Sequence, residues 1–276
     1  MIDNIEKLRK IQLMMLEDII RICSENNIMY YMFHGSLLGT IRHSGFIPWD
    51  DDVDICMYRE DIMKLKKIIT ERYSEKYFIQ DVHTEKEYTR YITKVRLNNT
   101  LQMEVGNAKS NMHHGIYLDI FPLDHIHKTH GLGISFRGYM VSLLMKYLVV
   151  RHSKSRNTIL IRKILINLLK PLSYLIPYKS VNKLLDYMCS MDNNKDSKYT
   201  TCFVSEYGYK KQIVENEVYG EGVFMNFENL KVRVPTQYDK ILNKLYGDYM
   251  TLPPVEKRVH RHNVIKYDLG NYEDHD

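Results

Sequence analysis

Paired cysteines and long apolar runs are both missing from this sequence of 276 residues. Its four cysteines are scattered without a C-x-x-C pair, which argues against a zinc ribbon, a redox dithiol motif or a disulfide scaffold and is typical of a reducing cytoplasm. No uncharged apolar run reaches about eighteen residues, so we expect no membrane-spanning helix. The first residues are polar, so we expect no secretory signal.

Acidic residues are absent from one long window in the middle of the chain. The 61 residues from 125 to 185 contain eleven Lys or Arg, so the rest of the chain has a net charge of −6, the difference between the total of +5 and this +11. Helical patterns with apolar and basic positions over residues 131–192 favour contact with an anionic membrane surface or another polyanion. A helical insertion that exposes its lysines to solvent is the alternative. We do not expect a nucleic-acid partner, because no reader motif with interleaved aromatic residues is present.

Apolar periodicity predicts the regular elements of the chain. The predicted helices cover residues 3–26, 60–73 and 238–246, and the predicted strands cover 28–33, 53–58, 77–82, 91–97, 115–121 and 232–234. This mixture predicts an α/β (α+β) fold with a mixed sheet core flanked by helices. We expect a single catalytic domain with the core over residues 1–125, a basic helical insertion over 126–200 and a C-terminal segment over 201–276 that packs back on the core.

The strongest chemical feature is an acidic cluster at residues 50–54, where four carboxylates occur within five positions. Alternation along a strand places Asp52 and Asp54 on one face and Val53 toward the core. Two carboxylates on one face can bind Mg²⁺, which prefers oxygen ligands and substrate phosphates. A solvated acidic loop is the alternative, whereas an EF-hand is excluded because its Gly and distal Glu are missing.

Two further sites strengthen the interpretation of a metal and phosphate site. Gly35 and Ser36 follow a buried strand, in a turn whose N–H groups and hydroxyl can bind a phosphate. Asp119 is the one charge in an apolar run, and a metal shared with Asp52 and Asp54 would offset the cost of burying it. A capped turn before a proline is the alternative role for Asp119.

Several stretches of the chain closely resemble the LicD family. They are residues 34–43 (HGSLLGTIRH), 45–54 (GFIPWDDDVD), 98–100 (NNT), 114–124 (HGIYLDIFPLD), and 246–249 (YGDY) with the prolines and basic residues that follow up to 260. This family of phosphorylcholine transferases belongs to the polymerase-β-like nucleotidyltransferase superfamily, with fukutin-type proteins as distant relatives. The resemblance extends over about residues 10–262. Ser36 stands where many relatives have Gly, and both residues occur in the wider superfamily.

The resemblance implies an enzyme that transfers phosphocholine from CDP-choline to a sugar hydroxyl of a bacterial glycan precursor (teichoic acid, capsule or lipopolysaccharide) and releases CMP. Asp52, Asp54 and Asp119 would be catalytic and would bind one or two Mg²⁺ ions, with Mn²⁺ as a substitute. The residues implied to contact substrate are Gly35, Ser36, Arg42, Trp49, Lys94, Arg96, Arg258 and His260. The alternatives are ion pairing within the protein for Arg42, Lys94 and Arg96, and a wedge in the core for Trp49, whose ring could otherwise bind the choline ammonium.

The implied acceptor is a lipid-linked glycan, and the implied location is cytoplasmic, at the inner face of the cell membrane. Three alternatives stay open. The chain could transfer another phospho-alcohol, such as ribitol or glycerol phosphate, from its CDP carrier. It could transfer nucleotides to RNA, with the basic window as the RNA-binding surface. It could be a non-catalytic membrane-bound scaffold, although the electrostatic cost of carboxylates at 52, 54 and 119 argues against a scaffold.

Overall fold

The computed structural model describes residues 2–106, 108, 110–152, 170–171, 173–193, 196–259 and 264–272. The α-helices of these residues are α1 (Ile2–Glu25), α2 (His34–His43), α3 (Arg59–Arg72), α4 (Leu132–His152), α5 (Tyr178–Ser190), α6 (Tyr209–Gln212), α7 (Asn216–Tyr219) and α8 (Tyr238–Tyr246). The strands are β1 (Tyr31–Met32), β2 (Asp54–Tyr58), β3 (Tyr77–Gln80), β4 (Thr93–Leu97), β5 (Leu101–Glu104), β6 (Tyr117–Ile126), β7 (Tyr199–Thr201), β8 (Val214–Glu215), β9 (Val223–Phe227), β10 (Leu230–Val234) and β11 (Val264–Asp268).

A mixed sheet with the strand order β1–β2–β6–β4–β3 lies at the centre of the fold. β2 and β6 are parallel, whereas the other neighbours along this path are antiparallel. β6 is ten residues long, and its C-terminal end extends past β2 to pair with β7, which in turn pairs with β8. The predicted class, a mixed sheet flanked by helices, is therefore confirmed.

α1 packs on this sheet through an apolar stripe. Leu8, Met15, Ile19 and Ile22 are fully buried, and their spacing of three, four and seven residues is that of one helix face. They belong to the same apolar core as the buried residues of β2, β6 and the β9–β10 hairpin. The segment that leads into this hairpin also contacts the sheet, since the hydroxyl of Tyr31 in β1 donates to the carbonyl oxygen of Gly220.

A second apolar core lies between α4 and α5. Val141, Leu148 and Leu185 are fully buried in it. Arg137 of α4 is also buried, and its Nη1 lies 2.8 Å from a carboxylate oxygen of Asp192 at the end of α5. The same guanidinium donates to main-chain carbonyls in the last turn of α5. These contacts fix α4 against α5.

Among the described residues, one segment of α4, Leu132–Arg151, is long and apolar enough to cross a membrane by length and composition. About a fifth of its most apolar window, 22%, is buried within the protein. This composition is weak evidence for a membrane span, because exposed interfacial helices and core helices share it. This segment does not appear as an uncharged apolar run in the sequence, because Arg137 and Lys146 interrupt it.

Candidate active site

Three charged side chains meet on the central sheet because of the register of its strands. Asp54 and Asp119 are paired across the parallel strands β2 and β6. Lys94 is paired with Asp119 across the antiparallel strands β4 and β6. Side chains of directly paired residues lie on the same face of a sheet, so the register places two carboxylates and one ammonium group side by side.

Asp52 completes a cluster of three carboxylates. One oxygen from each of Asp52, Asp54 and Asp119 lies within 4.8 Å of the other two. Burial, and then the neighbouring charges of Asp52 and Asp119, raise the pKa of Asp54 well above its ordinary value. Carboxylates this close favour a shared proton or a bound cation. The cluster therefore has the composition and spacing of a site for a hard divalent ion.

Lys94 supplies a cation of the protein to this cluster. Its Nζ lies 2.6 Å from Oδ1 of Asp119, and both charged side chains are 3% exposed. The same Nζ lies 3.2 Å from the centre of the Tyr117 ring. Although Nζ of Lys94 and Oδ1 of Asp119 are this close, their geometry is not that of a hydrogen bond. Burial lowers the pKa of Lys94 to about 8, although the charge of Asp119 opposes this shift.

α2 begins beside the carboxylates, and its first turn contains the predicted Gly-Ser pair. Oγ of Ser36 accepts a hydrogen bond of 2.8 Å from the backbone N–H of Asp54, which ties the helix to β2. A side chain at Gly35 would displace the Asp50 carboxylate, because a Cβ there would lie 2.5 Å from Oδ2 of Asp50. His34 starts the helix with a positive φ of 40°, a strained conformation for a non-glycine residue. The first N–H groups of a helix have no intrahelical partners and favour anions.

The acidic loop between α2 and β2 is held by α1 through main-chain carbonyls. The guanidinium of Arg9 donates to the carbonyl oxygens of Ile47 at 2.9 Å and Asp50 at 2.6 Å. The amide of Gln12 donates to the carbonyl oxygen of Asp51 at 3.1 Å. The sequence does not identify Arg9 and Gln12 as contacts of this loop, because a polar position in an amphipathic helix gives no signal of the loop that it contacts.

The carboxylates face a cavity of about 900 Å³. Its lining includes the predicted site residues Gly35, Arg42, Trp49, Asp52, Asp54 and Asp119. This volume is within the range of sites that bind drug-sized ligands and cofactors. A nucleotide diphosphate with a small alcohol therefore fits the cavity by size.

One part of the cavity wall is cationic. Nη1 of Arg42 donates to the carbonyl oxygen of Tyr249 at 2.8 Å, and burial, together with the nearby charge of Arg258, lowers the pKa of Arg42. Cζ of Arg258 lies 5.4 Å from the centre of the Trp49 ring. A guanidinium group therefore already covers the indole of Trp49. His260, the other C-terminal residue of the prediction, lies outside the described residues.

A second part of the wall is aromatic and was not predicted. The His34 ring makes edge contacts with Phe121 and Tyr207, with centroid distances of 4.8 Å and 5.0 Å. Both of these side chains line the cavity, as His34 does. Phe121 follows Asp119 by two residues on β6, so the two side chains lie on the same face at about 7 Å. We call His34, Phe121 and Tyr207 the aromatic corner.

The two arginines before and within β4 have different positions. Arg96 is 2% exposed, and it donates to Oε1 of Gln80 at 2.7 Å and to the carbonyl oxygen of Gly115 at 2.6 Å. It does not line the cavity, although it lies near Lys94, since both side chains contact the Tyr117 ring. Arg90, which was not predicted, does line the cavity. Burial would lower the pKa of Arg90, but the charge of Asp119 raises it above its ordinary value.

Asp124, the last residue of the family-like stretch 114–124, forms a buried ion pair with Arg59. Nη2 of Arg59 donates to Oδ2 of Asp124 at 2.9 Å, and Nε donates to Oδ1. Nδ2 of Asn193 donates to Oδ1 of Asp124 at 3.0 Å. The Asp124 side chain is fully buried, so this pair joins the start of α3, β6 and the segment after α5.

Comparisons with known proteins agree with this geometry. Residues 27–141 match the family described as LicD/FKTN/FKRP, nucleotidyltransferase domain. The chain is 27% identical over 259 residues to the lipopolysaccharide cholinephosphotransferase LicD of Haemophilus influenzae. The aligned residues cover 90% of this chain and 92% of that protein. It is 51% identical over 35 residues, 13% of this chain and 7% of the relative, to the ribitol 5-phosphate transferase FKRP of Homo sapiens. It is also 42% identical over 55 residues, 20% of this chain and 21% of the relative, to an uncharacterised protein of Rickettsia prowazekii.

The matched region contains the three clustered carboxylates, Lys94 and the start of α2. The resemblance to the LicD family is therefore confirmed: residues 27–141 match the LicD/FKTN/FKRP nucleotidyltransferase domain, and the similarity to LicD over most of the chain makes this protein a phosphotransferase.

Proposed function

We propose that this enzyme transfers phosphocholine from CDP-choline to a sugar hydroxyl of a bacterial cell-surface glycan precursor and releases CMP. The observation that carries the proposal is the cluster of Asp52, Asp54 and Asp119 in a cavity large enough for a CDP-alcohol. The relative from Haemophilus influenzae, a lipopolysaccharide cholinephosphotransferase, supports phosphocholine as the transferred group.

Mg²⁺ is the proposed cofactor, and the residues present fit it. Asp52, Asp54 and Asp119 offer three oxygens within 4.8 Å. Burial, and then the neighbouring carboxylates, raise the pKa of Asp54 and so penalise its ionised form, which a bound cation would stabilise. When bound, the ion supplies charge neutralisation at the donor phosphates. Lys94 already neutralises Oδ1 of Asp119. We therefore infer a site for one ion rather than two.

The proposed reaction forms a bond from the sugar oxygen to the phosphorus of phosphocholine and breaks the bond from that phosphorus to CMP, which leaves with the electron pair. Such transfer depends mainly on positioning and on charge neutralisation. We assign the hydroxyl proton to the carboxylate of Asp119. The first turn of α2 and the guanidinium groups of Arg42 and Arg90, which line the cavity, are the proposed phosphate contacts.

The trimethylammonium group of choline is assigned to the aromatic corner. Quaternary ammonium groups bind the faces of aromatic rings, and the aromatic corner lies about two residues along β6 from Asp119. Trp49 is a poorer candidate because the guanidinium of Arg258 lies over its ring. Two cations over one indole would repel each other.

Transfer of ribitol phosphate from CDP-ribitol is the second candidate function. It is favoured by the 35 residues that are 51% identical to the ribitol 5-phosphate transferase FKRP. Both candidates use the same carboxylates and release the same product. The two candidates differ in the alcohol that would lie in the aromatic corner, choline or ribitol.

The test is CMP release from CDP-choline, CDP-ribitol and CDP-glycerol by the wild type and Asp54→Asn, with Mg²⁺ or with EDTA. An extract of lipid-linked glycan provides the acceptor. We expect metal-dependent release from CDP-choline that is lost in the variant. Release from CDP-ribitol alone would establish the second candidate. No release from any donor with a competent extract would contradict both, and salt-sensitive RNA affinity with CTP or ATP turnover would then support the RNA alternative.

A further inference from the structure

α4 presents an apolar stripe to the outside of the protein. The exposed fractions are 92% for Leu132, 59% for Phe136, 64% for Tyr139, 45% for Leu143 and 43% for Val149. Leu132, Phe136, Tyr139 and Leu143 are separated by four, three and four residues and lie on one face of the helix. Val149 follows six residues later and faces about 120° away from Leu143. With a rise of about 1.5 Å per residue, the stripe from Leu132 to Leu143 is about 17 Å long.

The opposite face of α4 is fixed to the protein. Val141 and Leu148 are fully buried, and Arg137 is 4% exposed. Nη1 of Arg137 lies 2.8 Å from the carboxylate of Asp192. A position across a bilayer would expose this charged pair to lipid, which is costly. A position parallel to the membrane surface leaves the pair intact.

A loop at the C-terminal end of α4 is also apolar and exposed. Tyr174, Leu175 and Ile176 are 59%, 77% and 50% exposed. The guanidinium of Arg151 in α4 donates to the carbonyl oxygen of Ile176 at 2.7 Å, which attaches this loop to the helix. We call Leu132, Phe136, Tyr139 and Leu143 of α4, together with residues 174–176, the apolar face.

The charge around the apolar face complements an anionic surface. The face lies within the window of residues 125–185, which has eleven basic residues and no acidic one. Lys146, Lys179 and Lys183 of α4 and α5 are exposed. Basic side chains beside an apolar helix face attract anionic lipid headgroups, whereas two copies of this surface would repel each other.

We propose that the apolar face docks on an anionic lipid bilayer with α4 parallel to the membrane surface. Met145 and Val149 of the same helix line the catalytic cavity. Docking therefore brings the cavity to the membrane surface, where a lipid-linked glycan is accessible. This last consequence rests on the proposed function, but the docking itself does not.

The test compares binding of the full chain to vesicles of phosphatidylcholine with and without phosphatidylglycerol. One variant combines L132Q, F136Q, Y139Q and L143Q, which keep the net charge. A matched control combines M63Q, V105Q, F224Q and I265Q, at exposed apolar positions elsewhere. We expect the wild type and the control to sediment with the anionic vesicles and the first variant to bind at least about tenfold more weakly. A third variant, K146E with K179E and K183E, should lose the preference for anionic lipid.

Four results would overturn the proposal. The first is equal vesicle binding by the first variant and the wild type, and the second is equal binding of the wild type to both vesicle types. The third is resistance of the bound chain to alkaline carbonate extraction. The fourth is a dimer in solution that the first variant converts to a monomer. Thermal unfolding of every variant checks the fold. CMP release without vesicles reports the active site separately, so the binding result holds whichever donor the enzyme uses.

Discussion

The ammonium group of Lys94 lies 2.6 Å from a carboxylate oxygen of Asp119, and each of the two side chains is only 3% exposed. Removing one partner of a buried ion pair leaves an uncompensated charge, so each residue controls the state of the other. The pair also places a cation of the protein where a second metal ion would bind Asp119. This relationship leads to a prediction about the number of metal ions.

Replacing Lys94 with Met should increase the number of bound metal ions. With CDP as the nucleotide probe, we expect one Mn²⁺ per chain in the wild type and two in Lys94→Met, because Asp119 loses its protein cation. Isothermal titration calorimetry and electron paramagnetic resonance count the ions. Lys94→Arg, which keeps a positive charge, is the control and should bind one. Two ions in the wild type would contradict the inference of a single site.

Asp54→Asn should abolish turnover and stabilise the metal-free fold. The loss of a metal ligand should cost about 3 kcal/mol or more of transition-state stabilisation, which is at least about a hundredfold in kcat/KM. Burial and neighbouring carboxylates raise the pKa of Asp54, so its ionised form destabilises the fold. That destabilisation is absent below the ordinary pKa of aspartate, grows as the pH rises through the raised pKa, and is complete above it.

Calorimetry in EDTA tests the stability part of this prediction. The Tm of Asp54→Asn should exceed that of the wild type at pH 8, and the difference should disappear near pH 4. Glu71→Gln removes a carboxylate that is 57% exposed and should leave Tm almost unchanged. Near-normal turnover of Asp54→Asn, or a lower Tm at pH 8, would show that Asp54 has a structural role instead.

The sequence predicts the main helices and the carboxylates because their signals are local. The predicted helix over residues 238–246 coincides with α8, and the alternation that pairs Asp52 with Asp54 needs one strand only. The register of β2, β4 and β6 is a property of three distant segments, so the contact of Lys94 with Asp119 could not be derived. β1 is shorter than the predicted strand, at Tyr31–Met32, because its neighbouring residues bend into α2.

The aromatic corner and the internal position of Arg96 also depend on tertiary contacts. Tyr207 is one of 22 tyrosines and belongs to no motif that distinguishes it. Arg96 is a predicted phosphate contact because a guanidinium group matches phosphate oxygens, but in the structure it donates to Gln80 and Gly115 instead. The bonding partner of an arginine cannot be predicted from composition, because main-chain carbonyls and phosphates are both acceptors for its N–H groups.

Arg59→Met should destabilise the fold, although Arg59 was not predicted as a site residue. The substitution leaves Asp124 fully buried without its cation, and breaking such a pair costs about 3–5 kcal/mol. Chemical denaturation measures the change in the free energy of unfolding. Arg21→Met is the control, because the pair of Arg21 with Asp18 is exposed and should contribute about 1 kcal/mol or less. Equal effects of the two substitutions would contradict a structural role for Asp124.

Tyr207→Leu and Trp49→Leu should have different effects on donor choice. If the aromatic corner binds the choline ammonium, loss of the Tyr207 ring removes about 1–2 kcal/mol, which is a factor of about 5–30. The KM for CDP-choline should therefore rise by this factor, while the KM for CDP-ribitol, which has no cation, stays nearly constant. Trp49→Leu should affect both donors alike, because the Trp49 ring contacts the side chains of Arg258 and His43.

The hydroxyl of Tyr207 provides the control for this comparison. Tyr207→Phe keeps the ring and removes only the 3.2 Å hydrogen bond with Tyr246, so it should retain the preference for CDP-choline. Initial rates of CMP release over a range of each donor give the KM values. A rise in KM for CDP-choline alone in Trp49→Leu would transfer the choline site to the indole. That result would require Arg258 to leave the Trp49 ring when donor binds, since the two cations would otherwise occupy the same position.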